Sequence, residues 1–251
     1  MYRHFCIMLT LLIALGYSVC ISGCKPQSLV STQEEVSIGR EASQQVEAEN
    51  VVVTDTGLNS LVNRLGQTLV GCSDRQDIQY TFKVLDTGEV NAFSLPGGWV
   101  YVDKGLITAT AGKNDQLAGV IAHEIGHIVA RHGAQQIGRE IEANILIGAL
   151  TRGQMQEVAS IFADIELLHY SRTEEYEADR LGIKEMWRCS HEDPVTYNPE
   201  GLIDFFGYLL KIEGKPPSGF EQIFRTHPVT ANRITAAQTY LNDLRSGKAS
   251  P

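Results

Sequence analysis

Apolar and polar positions follow two periods along this chain. From Thr56 to Val70, Leu58, Leu61, Val62, Leu65 and Leu69 recur every three or four positions, which predicts a helix with one buried face. From Ile78 to Leu85 the alternation is every second residue, which predicts a half-buried strand. VNAFSL and WVYVD predict two more strands, joined through Pro96, Gly97 and Gly98. Upstream, Ser31 and Thr32 precede Glu34 and Glu35, a capping-box pattern that opens a helix running to about Glu49. Downstream, helix predominates: about Asp115 to His132, Gln135 to Ala163 with an interruption near Thr151 to Gly153, Asp164 to Cys189, Pro199 to Ile212 and Pro228 to Arg245. HEDPVTYNPEG reads as a loop. Together these predict one mainly helical α+β domain with a small sheet against several helices.

The first residues follow a different pattern. Arg3 precedes an apolar run from Phe5 to Val19 and then small residues, the layout of a secretory signal. The run is short for a spanning helix, which needs about 20 apolar residues. ISGC, Ile21 to Cys24, resembles a bacterial lipobox, which implies cleavage before Cys24 and lipid on Cys24; the alternative is an uncleaved anchor. Lys25 after the cysteine implies, by the Gram-negative lipoprotein rule, an outer-membrane destination facing the periplasm. The expected division is 1–23 signal peptide, 24–30 lipidated Cys24 and tether, and 31–251 a single folded domain. Cys72 and Cys189 remain, in a compartment that permits a disulfide, but spacing does not show that they meet. A net charge of −9 with no cluster of Lys and Arg argues against nucleic acid as a partner.

The chemistry sits in QLAGVIAHEIGHIVARH. His123 and His127 are four residues apart on a predicted helix, about 6 Å along the axis and roughly 40° around it, so both reach one ion. Zinc suits imidazole donors with an open position. Glu124 then lies beside that position as the base that activates water at the metal. Burying two histidines and a glutamate in an otherwise apolar helix is costly without a partner, and a metal supplies one; a hydrogen-bonded core pair is the alternative.

A third ligand further along the same helix would need Gly at 130 and His at 133, where the chain has Ala130 and Gly133. The other source is SRTEEYEADRLG. On a helix Glu175 and Asp179 share a face, while Glu174 and Glu177 point elsewhere. Glu175 is therefore the expected third ligand. Asp179 is expected to accept the free N–H of a ligand histidine, and Glu174 and Glu177 are expected to face water.

At these residues the chain resembles the Ste/Oma-type gluzincin metallopeptidases, relatives of the CAAX prenyl protease. More narrowly it resembles their periplasmic, single-domain bacterial lipoprotein branch. The similarity extends to STQEEVSIGREA, NAFSLPGGWVYVDKGLI and THPVTANRI. It implies a zincin-like fold whose edge strand lies beside the active site. It also implies one Zn2+ ion and endopeptidase action on unfolded or misassembled envelope proteins in periplasmic quality control. NAFSLPGG is similar to the family's edge strand, which implies that Asn91, Ala92 and Phe93 bind substrate by strand addition; a plain core hairpin is the alternative. Pro228 suits a first helical position, which makes His227 the expected N-cap, held neutral by the helix's positive end. In relatives a histidine of this motif approaches the zinc, either stabilising the tetrahedral intermediate or occupying the open position as a latency switch. Arg172 is a further candidate for the oxyanion or for pairing with acids. His132, His169 and His191 read as surface or structural. Two rivals remain: a latent or chaperone-like lipoprotein that holds clients with little cleavage, and a structural lipoprotein whose metal serves only the fold.

Overall fold

A computed structural model describes residues 30–147, 169–192 and 197–251. The predicted signal peptide, Cys24 and most of the tether lie outside the described residues, as does 148–163 of the predicted 135–163 stretch.

Helix α1 (Thr32–Glu49) starts where the capping box places it: Ser31 accepts from the Glu34 N–H, and the Glu34 carboxylate accepts from the Ser31 N–H. Helix α2 (Thr56–Gly71) is capped by Asp55, which accepts from the N–H groups of Gly57 and Leu58. Three short strands follow: β1 (Thr81–Leu85), β2 (Ala92–Leu95) and β3 (Trp99–Asp103). They form one sheet in the order β1-β3-β2, with β3 parallel to β1 and antiparallel to β2. β2 is thus an edge strand. Alternation along the strands divides two cores. Val84, Ala92, Val100 and Val102 face the larger one, while Leu85, Phe93, Leu95 and Tyr101 pack with Ile38, Ala42 and Val46 of α1.

Helix α3 (Lys104–Ala109), which the hydrophobic pattern does not reveal, leads to α4 (Asn114–Val129), the helix that carries both site histidines. Every residue from Leu117 to Ile128 is buried. The predicted helix to His132 instead breaks at Arg131, which takes a left-handed φ of 60°. That conformation costs a residue with a side chain roughly 1–2 kcal/mol. Ion pairing holds it: Arg131 Nε lies 2.9 Å from Glu35, and its Nη2 donates to the Val30 carbonyl at 2.7 Å. Glu35 also takes both arms of Arg75, whose Nη1 in turn donates to the Ile128 carbonyl. Helix α5 (His132–Ile147) begins directly after this corner.

Helix α6 (Arg172–Glu192) starts where Ser171 and Glu174 cap each other's backbone; 164–168 of the expected helix lies outside the described residues. Helices α7 (Glu200–Ile212), α8 (Glu221–Thr226) and α9 (Ala231–Arg245) complete the described chain. Cys72 at the end of α2 and Cys189 in α6 form a disulfide, with their Cα atoms 5.6 Å apart. Among the described residues no helix is long and apolar enough to cross a membrane.

Candidate metal centre

Two helices cross closely enough to share an ion because the crossing is lined by glycine. A Cβ on Gly126 of α4 would meet the Ala178 carbonyl oxygen at 2.6 Å, and one on Gly182 of α6 would meet the Ala122 carbonyl carbon at 2.9 Å. Neither position has room for a side chain without moving the helices apart.

At this crossing the expected ligands converge. His123 and His127 lie one turn apart with their Nε2 atoms 3.0 Å from each other. Glu175 of α6 brings Oε1 to 3.4 Å from His127 Nε2 and Oε2 to 3.6 Å from His123 Nε2. His227 adds Nδ1 at 3.3 Å from His123 Nε2 and 3.2 Å from Glu175 Oε1. One donor atom from each of these four buried residues lies within 4.8 Å of all the others. Three imidazoles and one carboxylate form a zinc donor set, and such groups packed together away from water are costly without a cation among them. The residues therefore fit zinc.

Around the donors, each expected partner has a definite place. Asp179 Oδ1 lies 2.9 Å from His123 Nδ1. Glu124, fully buried, accepts from Ser94 Oγ at 2.9 Å, and its Oε1 lies 3.3 Å from His227 Nε2. Burial raises the Glu124 carboxyl above the ordinary carboxylate range, against the opposing pull of His227 and His123. Burial pushes His127 well below the usual imidazole value. Burial also works against ionised Glu175, but His227, His127 and His123 hold its carboxyl well below the ordinary value.

Several expectations need correction. His227 is not a helix N-cap: it follows the last turn of α8, and Thr230 caps α9. Its setting is acidic instead. Burial lowers its basicity, yet Glu175 and Glu124 outweigh burial and push it up to about 9. Glu174 does not face water; it is buried, caps Ser171 and pairs with Arg139 of α5 at 3.1 Å. Glu177 is partly exposed, 3.5 Å from His132. Arg172 is exposed at the start of α6.

Of the predicted substrate strand, Ala92 lines a pocket with His123 and Glu124. Asn91 is buried and accepts from Thr226 Oγ1, beside His227. Phe93 turns to the opposite face and stacks on Tyr101. Ser94, one residue on, is the side chain of β2 that reaches Glu124.

Besides Ser94, sequence reasoning missed three residues. Arg233 of α9, 1% exposed, donates to both oxygens of Asp179 and pairs with Glu175 Oε2 at 2.6 Å. Tyr170 stacks on the His127 ring with centroids 4.0 Å apart. His132 is completely buried against His127. Arg233 lies in THPVTANRI, a stretch noted for its resemblance, but nothing local marks it as a partner of carboxylates 54 and 58 residues away.

The sequence model of peptidase family M48 matches residues 56–241. The chain is 26% identical over 239 residues to the beta-barrel assembly-enhancing protease of Escherichia coli (strain K12), covering 89% of this chain and 47% of that protein. It is 28% identical over 183 residues to the mitochondrial metalloendopeptidase OMA1 of Schizosaccharomyces pombe, covering 72% and 52%. With the OMA1 of Arabidopsis thaliana it shares 32% identity over 178 residues, covering 68% and 36%. The chain spans about half the length of the curated relatives it matches.

Proposed function

The chain belongs to peptidase family M48 and is a zinc metalloprotease, and from that premise we propose an endopeptidase of the bacterial envelope that cuts unfolded or misassembled proteins. In this reading it is a member of the lipoprotein branch, with residues 31–251 forming the peptidase domain. It is tethered by lipid on Cys24 to the outer membrane and faces the periplasm. Similarity to a beta-barrel assembly-enhancing protease supports the envelope setting, and the lipobox-like ISGC supports the tether.

His123, His127 and Glu175 hold the metal. Bound zinc supplies Lewis acidity to a peptide carbonyl and to the attacking water. Glu124 takes the proton from that water and delivers it to the leaving amine nitrogen. Ser94 orients the Glu124 carboxylate through its 2.9 Å hydrogen bond, and Asp179, pinned by Arg233, orients His123. Substrate adds as a strand to the free edge of β2. The Asp103 N–H donates to the Asn91 carbonyl, so Asn91, Phe93 and Leu95 turn their backbone groups toward β3. By alternation Ala92 and Ser94 turn theirs outward. Val120, Leu202, Phe206 and Ile223 line a narrow apolar recess next to His123 and Glu124.

The observation that carries this reading is the convergence of four metal donors with a buried glutamate beside an edge strand. Its test compares wild type with Glu124→Gln, in the chain from residue 25 onward, for zinc content and degradation of an unfolded protein. Zinc in both with cleavage only by wild type is expected. Equal cleavage by both would overturn the role of Glu124. For the tether, Cys24→Ala in the full chain is expected to release a soluble form, and persistent membrane association would overturn lipidation.

One observation favours a second reading, a latent or client-holding protein. His227 sits between Glu124, Glu175 and His123 and offers a fourth metal donor, in the position that a catalytic zinc keeps open. Under that reading wild type holds zinc and binds unfolded protein without cutting it, and His227→Ala releases cleavage.

A further inference from the structure

The geometry points to His132 as a positioning residue for the metal centre: a neutral imidazole that accepts the Nδ1 proton of His127 and so fixes which nitrogen His127 offers to zinc. The two Nδ1 atoms face each other at 2.8 Å, with both rings buried. The rings meet at 69°, edge to face rather than stacked. A contact of that length between two ring nitrogens holds one proton.

Its owner follows from the other side of the ring. His127 Nε2 faces the donor cluster, 3.0 Å from His123 Nε2 and 3.4 Å from Glu175 Oε1. A neutral imidazole that offers Nε2 as a lone pair carries its proton on Nδ1. That proton therefore points at His132 Nδ1, which accepts it. His132 then carries its own proton on Nε2, which faces Glu177 Oε2 at 3.5 Å. The two ligand histidines are held by different acceptors: His123 by the charged Asp179, His127 by an uncharged ring.

Local backbone geometry makes the contact possible. On a continuous helix residues five apart point about 140° away from each other, so 127 and 132 would not touch. The left-handed Arg131 ends α4 and restarts the chain as α5, which swings His132 back against the last turn of α4.

The test is zinc affinity of the full chain, measured by competition with a chromophoric chelator, together with the absorption spectrum of the cobalt-substituted protein. In His132→Asn the amide oxygen stands near the place of Nδ1 and keeps an acceptor. His132→Leu removes it at similar volume. His132→Leu is expected to weaken zinc binding about 10–100-fold and to alter the cobalt spectrum. His132→Asn is expected to stay within about threefold of wild type, with the wild-type spectrum. Wild-type affinity in His132→Leu, or equal losses in the two variants, would overturn the inference. If His132→Leu does not fold, His132→Gln replaces it, since its amide reaches past the Nδ1 position; affinity equal to that of His132→Asn would overturn the inference equally. A wild type that binds zinc but cuts no unfolded protein would overturn the proposed substrate and leave this inference standing.

Discussion

Arg233 donates from Nε and Nη2 to the two oxygens of Asp179 at 2.8 and 2.6 Å, and neither side chain reaches solvent. The third arm of the same guanidinium, Nη1, lies 2.6 Å from Glu175. One cation thus holds both a metal ligand and the carboxylate behind another. Arg233→Leu removes the one guanidinium shared by these two buried carboxylates. It is expected to lower stability by about 3–5 kcal/mol and to weaken zinc binding, measured by chemical denaturation and chelator competition. Arg233→Lys is not expected to rescue either, because an ammonium lacks the planar fork. Full rescue by lysine would show that charge alone suffices.

Glu175 and Glu177 lie two residues apart on α6 and reach opposite environments. Glu175→Ala is expected to empty the metal site, and Glu177→Ala to retain zinc, by elemental analysis of the purified proteins. Equal zinc in both would remove Glu175 from the ligand set.

Ser94 bonds Glu124 and is not itself one of the four metal donors. Ser94→Ala is expected to retain zinc and to lower kcat several-fold. Glu124→Gln is expected to lower it about 10²–10⁴-fold, the usual scale for loss of a general base. A drop in zinc content with Ser94→Ala would mean that the hydroxyl serves the fold of the site rather than the base.

Gly126 sits where α4 and α6 touch. Gly126→Val forces the helices apart and is expected to cost about 1–3 kcal/mol from overpacking. It should also weaken zinc binding, because His123 and His127 move away from Glu175. Unchanged affinity would show that the crossing has more slack than the 2.6 Å approach implies.

Glu185 contributes a pH dependence away from the metal. It is 2% exposed, neither carboxyl oxygen has a hydrogen-bond partner, and burial raises it well above the ordinary 4.5. The folded protein therefore keeps a proton that the unfolded chain gives up. The stability from that proton is full below pH 4.5 and falls as pH rises toward the folded value. Glu185→Gln is expected to flatten this decline in denaturation experiments run across pH. A variant with the wild-type slope would place the titration elsewhere.

What was legible in the sequence was local. Helical spacing placed His123 and His127 together, and the same rule separated Glu175 and Asp179 from their neighbours. The residue pattern gave β2 as a strand, and the resemblance placed it at the site. The misreadings were of two kinds. Some signals were present but were read in the wrong frame: Ser171 and Glu174 form a capping box, a local pattern that explains why Glu174 is buried. Pro228 suggested a helix start, but Thr230 has the capping hydroxyl and sets the boundary. Other features had no local signal. The left-handed Arg131 is neither glycine nor proline and is held by Glu35, 96 residues away. Arg233, Ser94 and His132 owe their roles to distant packing or to that corner.

That corner also determines where the molecule takes up mechanical load. The Val30 carbonyl is held by Arg131, and Glu35 ties the first turn of α1 to Arg131 and to Arg75, which holds the Ile128 carbonyl. Tension on the chain ahead of Val30 therefore enters at the last turn of the helix that carries His123 and His127. An anchor on that side would pull through Arg131 and Arg75 on the last turn of α4, and the domain would hang from its own metal-binding helix.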